Sequence, residues 1–145
     1  MLATPWRRAV QRYLTWWDRL WLRLFGRSVG GYVGKAPVLV LHTTGRKSGR
    51  ERAVPLCYAP DGADMLIGGG SGGSQRHPGW YYNLRESADA TVTVDGETVP
   101  VTAELLTGDA RAVAWRTLNA VKPIGENYQR RVAREIPVFR LTRRA

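Results

Sequence analysis

Apart from those that contain Trp80 and residues 108–121, the links between the β-rich segments of this chain are too short to hold a helix, and that restricts the folds open to it. Residues 37–44 (PVLVLHTT) are apolar and β-branched and read as a buried strand. Residues 52–59 read as a second strand, with Pro55 limiting its pairing. The Asp61-Gly62 turn leads to a third, residues 64–69. Residues 91–95 and 98–105 flank Asp95-Gly96, a two-residue hairpin signal, and residues 137–142 read as a last strand. Parallel neighbours need crossovers of about a dozen residues or more. Only the links that contain Trp80 and residues 108–121 have that room. The pattern therefore predicts a mainly β (α+β) fold: a small, partly open barrel of about six antiparallel strands, with helices at the ends and in the gaps.

Those helices have their own signals. In residues 5–25, Trp6, Val10, Tyr13, Trp17, Leu20 and Leu24 recur at spacings of four and three and form one stripe. Arg7, Arg8, Arg12, Arg19 and Arg23 lie mostly off it, Thr4 suits the N-cap and Pro5 the first turn. Residues 78–87 read as a short helix, 108–121 as a helix capped by Asp109, and 127–135 as helical. The chain of 145 residues fits one domain. Residues 1–30 are expected to form an N-terminal amphipathic helix and linker, and 31–145 a single binding domain.

The net charge of +10 points to anionic partners. The charge gathers in residues 5–25, in residues 43–52 and at Arg130, Arg131, Arg134, Arg140, Arg143 and Arg144. The apolar runs are too short to span a bilayer, the N-terminus lacks a signal-peptide pattern, and the single cysteine, Cys57, suits a reducing compartment. A cytoplasmic location is expected. The arginine-flanked tryptophan stripe either packs on the barrel or rests on the inner face of an anionic membrane.

Residues 43–52 (TTGRKSGRER) carry the clearest chemistry. Gly45 and Gly49 allow tight turns, Thr43, Thr44 and Ser48 offer hydroxyls, and Arg46, Lys47, Arg50 and Arg52 offer cations. The loop is either an anion clamp or a solvated basic hairpin, and the hydroxyls and glycines among the cations favour the clamp. The spacing of a P-loop is absent. Residues 68–74 (GGGSGGS) fit two short motifs by composition alone. A dinucleotide fingerprint needs a helix at once, but Pro78 lies too far on. A nucleophile elbow at Ser71 needs an acid and then a histidine further along, and the only histidines are His42 and His77, so none follows Asp89. The patch reads as a flexible loop or as a bare platform for a flat ring. Residues 77–84 (HPGWYYNL) supply aromatic and amide groups next to it. They read equally as a wall for a planar ligand or as a helix that sends Trp80 and Leu84 into the core. Two histidines and one cysteine give no metal-ligand spacing.

Together, LVLHTTGRKSGRERAVPLCY, GGSGGSQRHPGWYYNL and YQRRVAREIP resemble, in order, the deazaflavin (coenzyme F420)-dependent nitroreductase family. The resemblance spans about residues 31–141. It implies a split β-barrel of the flavin-binding type and a reductase that passes a hydride from reduced coenzyme F420, rather than FMN, to a small electrophile such as a quinone, enone or nitro compound. It implies that Arg46, Lys47 and Ser48, helped by Arg52, hold the coenzyme's phosphate and acidic tail. Around the deazaflavin it implies Ala53, Val54, Pro55, Leu56, Cys57 and Tyr58, then Gly68, Gly69, Gly70 and Ser71, then Gly79, Trp80, Tyr81, Tyr82 and Asn83. Tyr128 is the candidate proton or hydrogen-bond donor to the acceptor. Two departures weigh against nitroimidazole reduction: Gly70 replaces the family's serine, and Lys122 and Gly125 replace pocket tyrosines. Nucleic acid is not expected as a partner. The alternatives to a reductase are a protein that holds a deazaflavin or flavin without turnover, and a charge-driven membrane-surface protein.

Overall fold

The computed structural model describes residues 32–33, 36–70, 75–121 and 129–144. The expected helix over residues 5–25, Ser71, Lys122, Gly125 and Tyr128 lie outside the described residues.

Eight strands and two helices of eight residues or more form among the described residues: β1 (Tyr32–Val33), β2 (Ala36–Thr44), β3 (Glu51–Cys57), β4 (Ala59–Asp61), β5 (Asp64–Gly68), α1 (Gly79–Glu86), β6 (Asp89–Val94), β7 (Glu97–Leu105), α2 (Gly108–Val121) and β8 (Val138–Arg143). Every strand pair among the described residues is antiparallel, as expected. The Asp95-Gly96 hairpin forms with both residues at positive φ.

The order β3-β2-β6-β7-β8-β5-β4 explains the curvature. Its two end strands, β3 and β4, are separated in sequence only by Tyr58. Laid flat, six inter-strand steps would hold them roughly 29 Å apart, which one residue cannot bridge. The sheet therefore curls until its ends meet, and the Tyr58 N–H donates to the Pro37 carbonyl at 3.1 Å to fasten the corner. Sequence reading missed this corner because it ran the second strand through to Ala59. Among the described residues β3 pairs only with β2, and β4 only with β5. Pro55 and Pro60 therefore sit on edge strands, where a missing N–H costs no ladder bond.

Inside the curl lie Leu39, Leu41, Met65, Ile67, Val92, Val101, Phe139 and Leu141, with Trp80 and Leu84 of α1 packed among them. On the other face, Leu66, Ala59, Leu106 and Val138 meet Ala114, Trp115 and Leu118 of α2. Met65, Leu66 and Ile67 are therefore all buried, because β5 is covered on both faces.

Two helical readings need correction. The first α2 bond runs from the Arg111 N–H to the Thr107 carbonyl at 3.3 Å. The cap position thus falls at Thr107, and Asp109 lies in the first turn, where the helix dipole favours a carboxylate. In the segment expected to be helical over 127–135, the described part is helical only at residues 129–131. The Gln129 side chain there accepts from the Ile136 N–H at 2.8 Å and donates to the Arg134 carbonyl at 2.7 Å, which draws the chain into a loop. No helix among the described residues is long and apolar enough to cross a membrane.

Candidate functional site

The basic loop between β2 and β3 is shaped by its own backbone. The Gly45 N–H donates to the Arg50 carbonyl at 2.7 Å, and the Gly49 N–H to the Gly45 carbonyl at 2.8 Å. Gly49 has φ 69°, a left-handed conformation that suits glycine. A Cβ on Gly45 would lie 2.7 Å from Ser48 Oγ. That oxygen accepts from the Arg50 N–H at 3.2 Å, which leaves the Ser48 O–H free to donate outward.

The loop is then fixed from outside by α1. Asn83, buried, accepts the Arg46 N–H on Oδ1 at 3.0 Å and donates from Nδ2 to Thr43 Oγ1 at 3.0 Å. One amide thus ties the two most distinctive sequence segments together. The Arg46 guanidinium lies over the Tyr82 ring, 4.5 Å from its centroid. Arg46, Lys47, Arg50 and Arg52 are exposed, and among the described residues none of them is ion-paired with a carboxylate.

The helix segment divides between the two readings the sequence left open. Trp80 goes to the core, edge-on to Phe139 at 5.8 Å, and Leu84 is buried with it. Tyr81 is half-buried and stacks on His77 at 4.0 Å, while Tyr82 is exposed and meets His77 edge-on at 6.0 Å. A Cβ on Gly79 would meet nothing within 4 Å.

The glycine platform is bare partly for packing reasons. The Gly69 N–H donates to the Pro137 carbonyl at 2.9 Å, and a Cβ on Gly69 would sit 2.7 Å from Pro137 Cγ. Gly68 faces the Leu118 side chain. The Gly70 carbonyl accepts from Arg134 at 3.2 Å, and the same guanidinium lies 3.1 Å from His77 Nδ1. Burial, then the Arg134 cation, lowers the His77 pKa from its ordinary value, so its ring favours the neutral form. Neither His77 nor Arg134 belongs to the site expected from sequence. The clue to both was their place inside the HPGWYYNL and YQRRVAREIP segments.

A continuous line of contacts therefore runs Arg46, Tyr82, His77, Arg134, Gly70, joining the loop, the helix and the platform. Beside the loop lies β3, whose Val54 and Leu56 turn into the core, so that Ala53, Pro55 and Cys57 take the opposite face. Tyr58 is itself core. Among the described residues only one backbone edge of β3 is paired. No group of His, Cys, Asp and Glu among the described residues could hold a metal ion.

An edge strand beside cations that have no carboxylate partner among the described residues suits a planar cofactor with an acidic tail. The chain is 40% identical, over 77% of its length and 76% of the relative, to an F420H(2)-dependent quinone reductase of Mycobacterium tuberculosis. A solved F420-H2 dependent reductase (FDR-A) superposes with a TM-score of 0.68 at 32% identity, covering 72% of this chain and 93% of that one. The model of the F420H(2)-dependent quinone reductase family matches residues 17–143, and the chain belongs to that family.

Proposed function

We propose that this chain binds reduced coenzyme F420 and uses it to reduce a small quinone. The observation that carries the reading is the set of four loop cations without a carboxylate partner among the described residues, fixed by Asn83 at the end of the Arg46–Gly70 line. Uncompensated cations grouped on one exposed turn repel one another and gain from a bound polyanion. Arg46, Lys47 and Arg52 would hold the phosphate and acidic tail, with the Ser48 hydroxyl donating. The β3 backbone edge, Gly70 and the outer aromatic groups would flank the ring. Trp80, as core, would support that wall from behind.

When bound, the reduced deazaflavin supplies a hydride. Conversion of a quinone to a hydroquinone takes up one hydride and one proton, so the protein has to orient the acceptor and deliver that proton. Tyr128, one residue before the Gln129 tie, is the proposed donor. Residues 31–145 form the proposed binding domain. The proposed role of residues 5–25, read from their tryptophan stripe and arginines, is contact with an anionic membrane surface, tested by flotation with anionic liposomes.

The deciding experiment titrates the purified protein with coenzyme F420, then follows turnover of the reduced form on a panel of quinones and enones. Binding at micromolar concentration with quinone turnover is expected. Absence of binding defeats the proposal; binding without turnover on any acceptor would make the chain a carrier.

A further inference from the structure

Glu51 is the one acid within residues 43–52, and it sits in sequence between Arg50 and Arg52. Local attraction alone would place its carboxylate on its neighbours. It lies instead 3.1 Å from Nδ1 of His42, on the adjacent strand. In the β2–β3 register Thr44 opposes Glu51 and His42 opposes Ala53, so His42 and Glu51 are diagonal neighbours on one face of the pair.

His42 is held for this contact from behind. Its ring is buried, and Nε2 is 3.0 Å from Thr93 Oγ1, which is 2.9 Å from Thr98 Oγ1. The polar file Glu51, His42, Thr93, Thr98 thus crosses four neighbouring strands, β3, β2, β6 and β7. With the Thr93 hydroxyl donating to Nε2, the ring proton sits on Nδ1, 3.1 Å from the Glu51 carboxylate but out of line for a full hydrogen bond. Burial lowers the His42 pKa and Glu51 opposes that shift. A neutral ring then meets the carboxylate through a close charge–dipole contact and adds no charge of its own.

We infer that His42 is a positioning residue that draws the Glu51 carboxylate out of the basic loop, so that Arg46, Lys47, Arg50 and Arg52 keep their charge for the anionic ligand. The inference rests on the reading of that loop as the coenzyme's tail site. Without the anchor, Glu51 competes with the ligand for the cations, an effect of the size of an exposed ion pair, about fivefold in affinity.

The test is a cycle of variants of the full chain, read by the fluorescence anisotropy of oxidised coenzyme F420, with melting temperatures in parallel. His42→Leu should weaken binding about fivefold. Glu51→Gln should bind as tightly as the native chain or tighter, and His42→Leu with Glu51→Gln should return to the Glu51→Gln value. Glu51→Asp keeps the charge but shortens its reach to His42, so it should bind more weakly than Glu51→Gln. This exposed pair decides the matter even where His42→Leu fails to fold. A purely structural role for His42 predicts no rescue by Glu51→Gln. Persistence of the His42→Leu defect in the double variant, or equal binding by the two Glu51 variants, overturns the inference. If the native chain itself fails to bind, the tail-site reading falls and the inference falls with it.

Discussion

Two sets of cations in this molecule carry the same charge on each side chain and meet different surroundings. On β8, Arg140 reaches Asp61 at 2.7 Å and Asp64 at 3.3 Å, tying the last strand to the corner strands β4 and β5. On α2, Arg111 meets Glu135 at 3.1 Å and donates to the Ile136 carbonyl at 2.7 Å. Arg144 faces Asp89 at 3.8 Å. The loop cations at 46, 47, 50 and 52 have no such partners among the described residues. On the proposed function, the difference separates charge that fastens the barrel from charge held ready for a ligand. The Asp61 hydrogen bond, ahead of the Asp64 one, raises the Arg140 pKa, as expected of a cation whose charge is already matched.

The largest effect should come from emptying the ready set. Replacing both Arg46 and Lys47 with alanine should weaken coenzyme F420 binding about a hundredfold, the scale of one to two charge-assisted hydrogen bonds. Melting temperature should hardly move, and binding by the native chain should weaken as salt rises. A large loss of stability with intact binding would reverse the assignment of the two sets. Asn83→Leu tests the join between loop and helix. It leaves the Arg46 N–H and the Thr43 hydroxyl without their partner, and should cost about 1–3 kcal/mol in denaturant unfolding as well as weakening the coenzyme.

Arg140→Ala should do the opposite of the loop variants. It leaves Asp61 and Asp64 facing each other, so stability should fall by about 1 kcal/mol with coenzyme affinity unchanged; a change in affinity would blur the distinction. The smallest expected effect is in pH. Folding holds the His42 and His77 pKa values below their ordinary 6.5, so the unfolded chain takes up more protons in acid. Their contribution to stability is full above about pH 6.5 and declines as pH falls below it. Melting curves of His42→Gln and His77→Gln between pH 7.5 and 5 (chosen to bracket that window) should be flatter than those of the native chain.

Much of the fold could be read without coordinates because it is local. Strand existence follows from β-branched runs, the hairpin from Asp95-Gly96, and antiparallel pairing from link length. Helix α2 begins and ends where its pattern indicated. What escaped was decided at a distance. The corner at Tyr58 exists because the sheet must close on itself, and nothing in residues 52–59 announces it. The helical reading of 127–135 failed because one side chain, Gln129, satisfies backbone groups five and seven residues away.

The candidate site divides in the same way. The sequence alone determined the chemistry of residues 43–52, since residue type sets which groups can grip an anion, and it determined the order of loop, platform and aromatic segment along the chain. Only the tertiary structure decided how those groups are used. It sent Trp80 into the core, placed Pro137 where a side chain on Gly69 would have to lie, and brought Arg134 to Gly70 across 64 positions of sequence. It also decided which arginines are already matched. Charge is a property of one residue, but whether that charge is neutralised depends on which distant carboxylate the fold brings beside it.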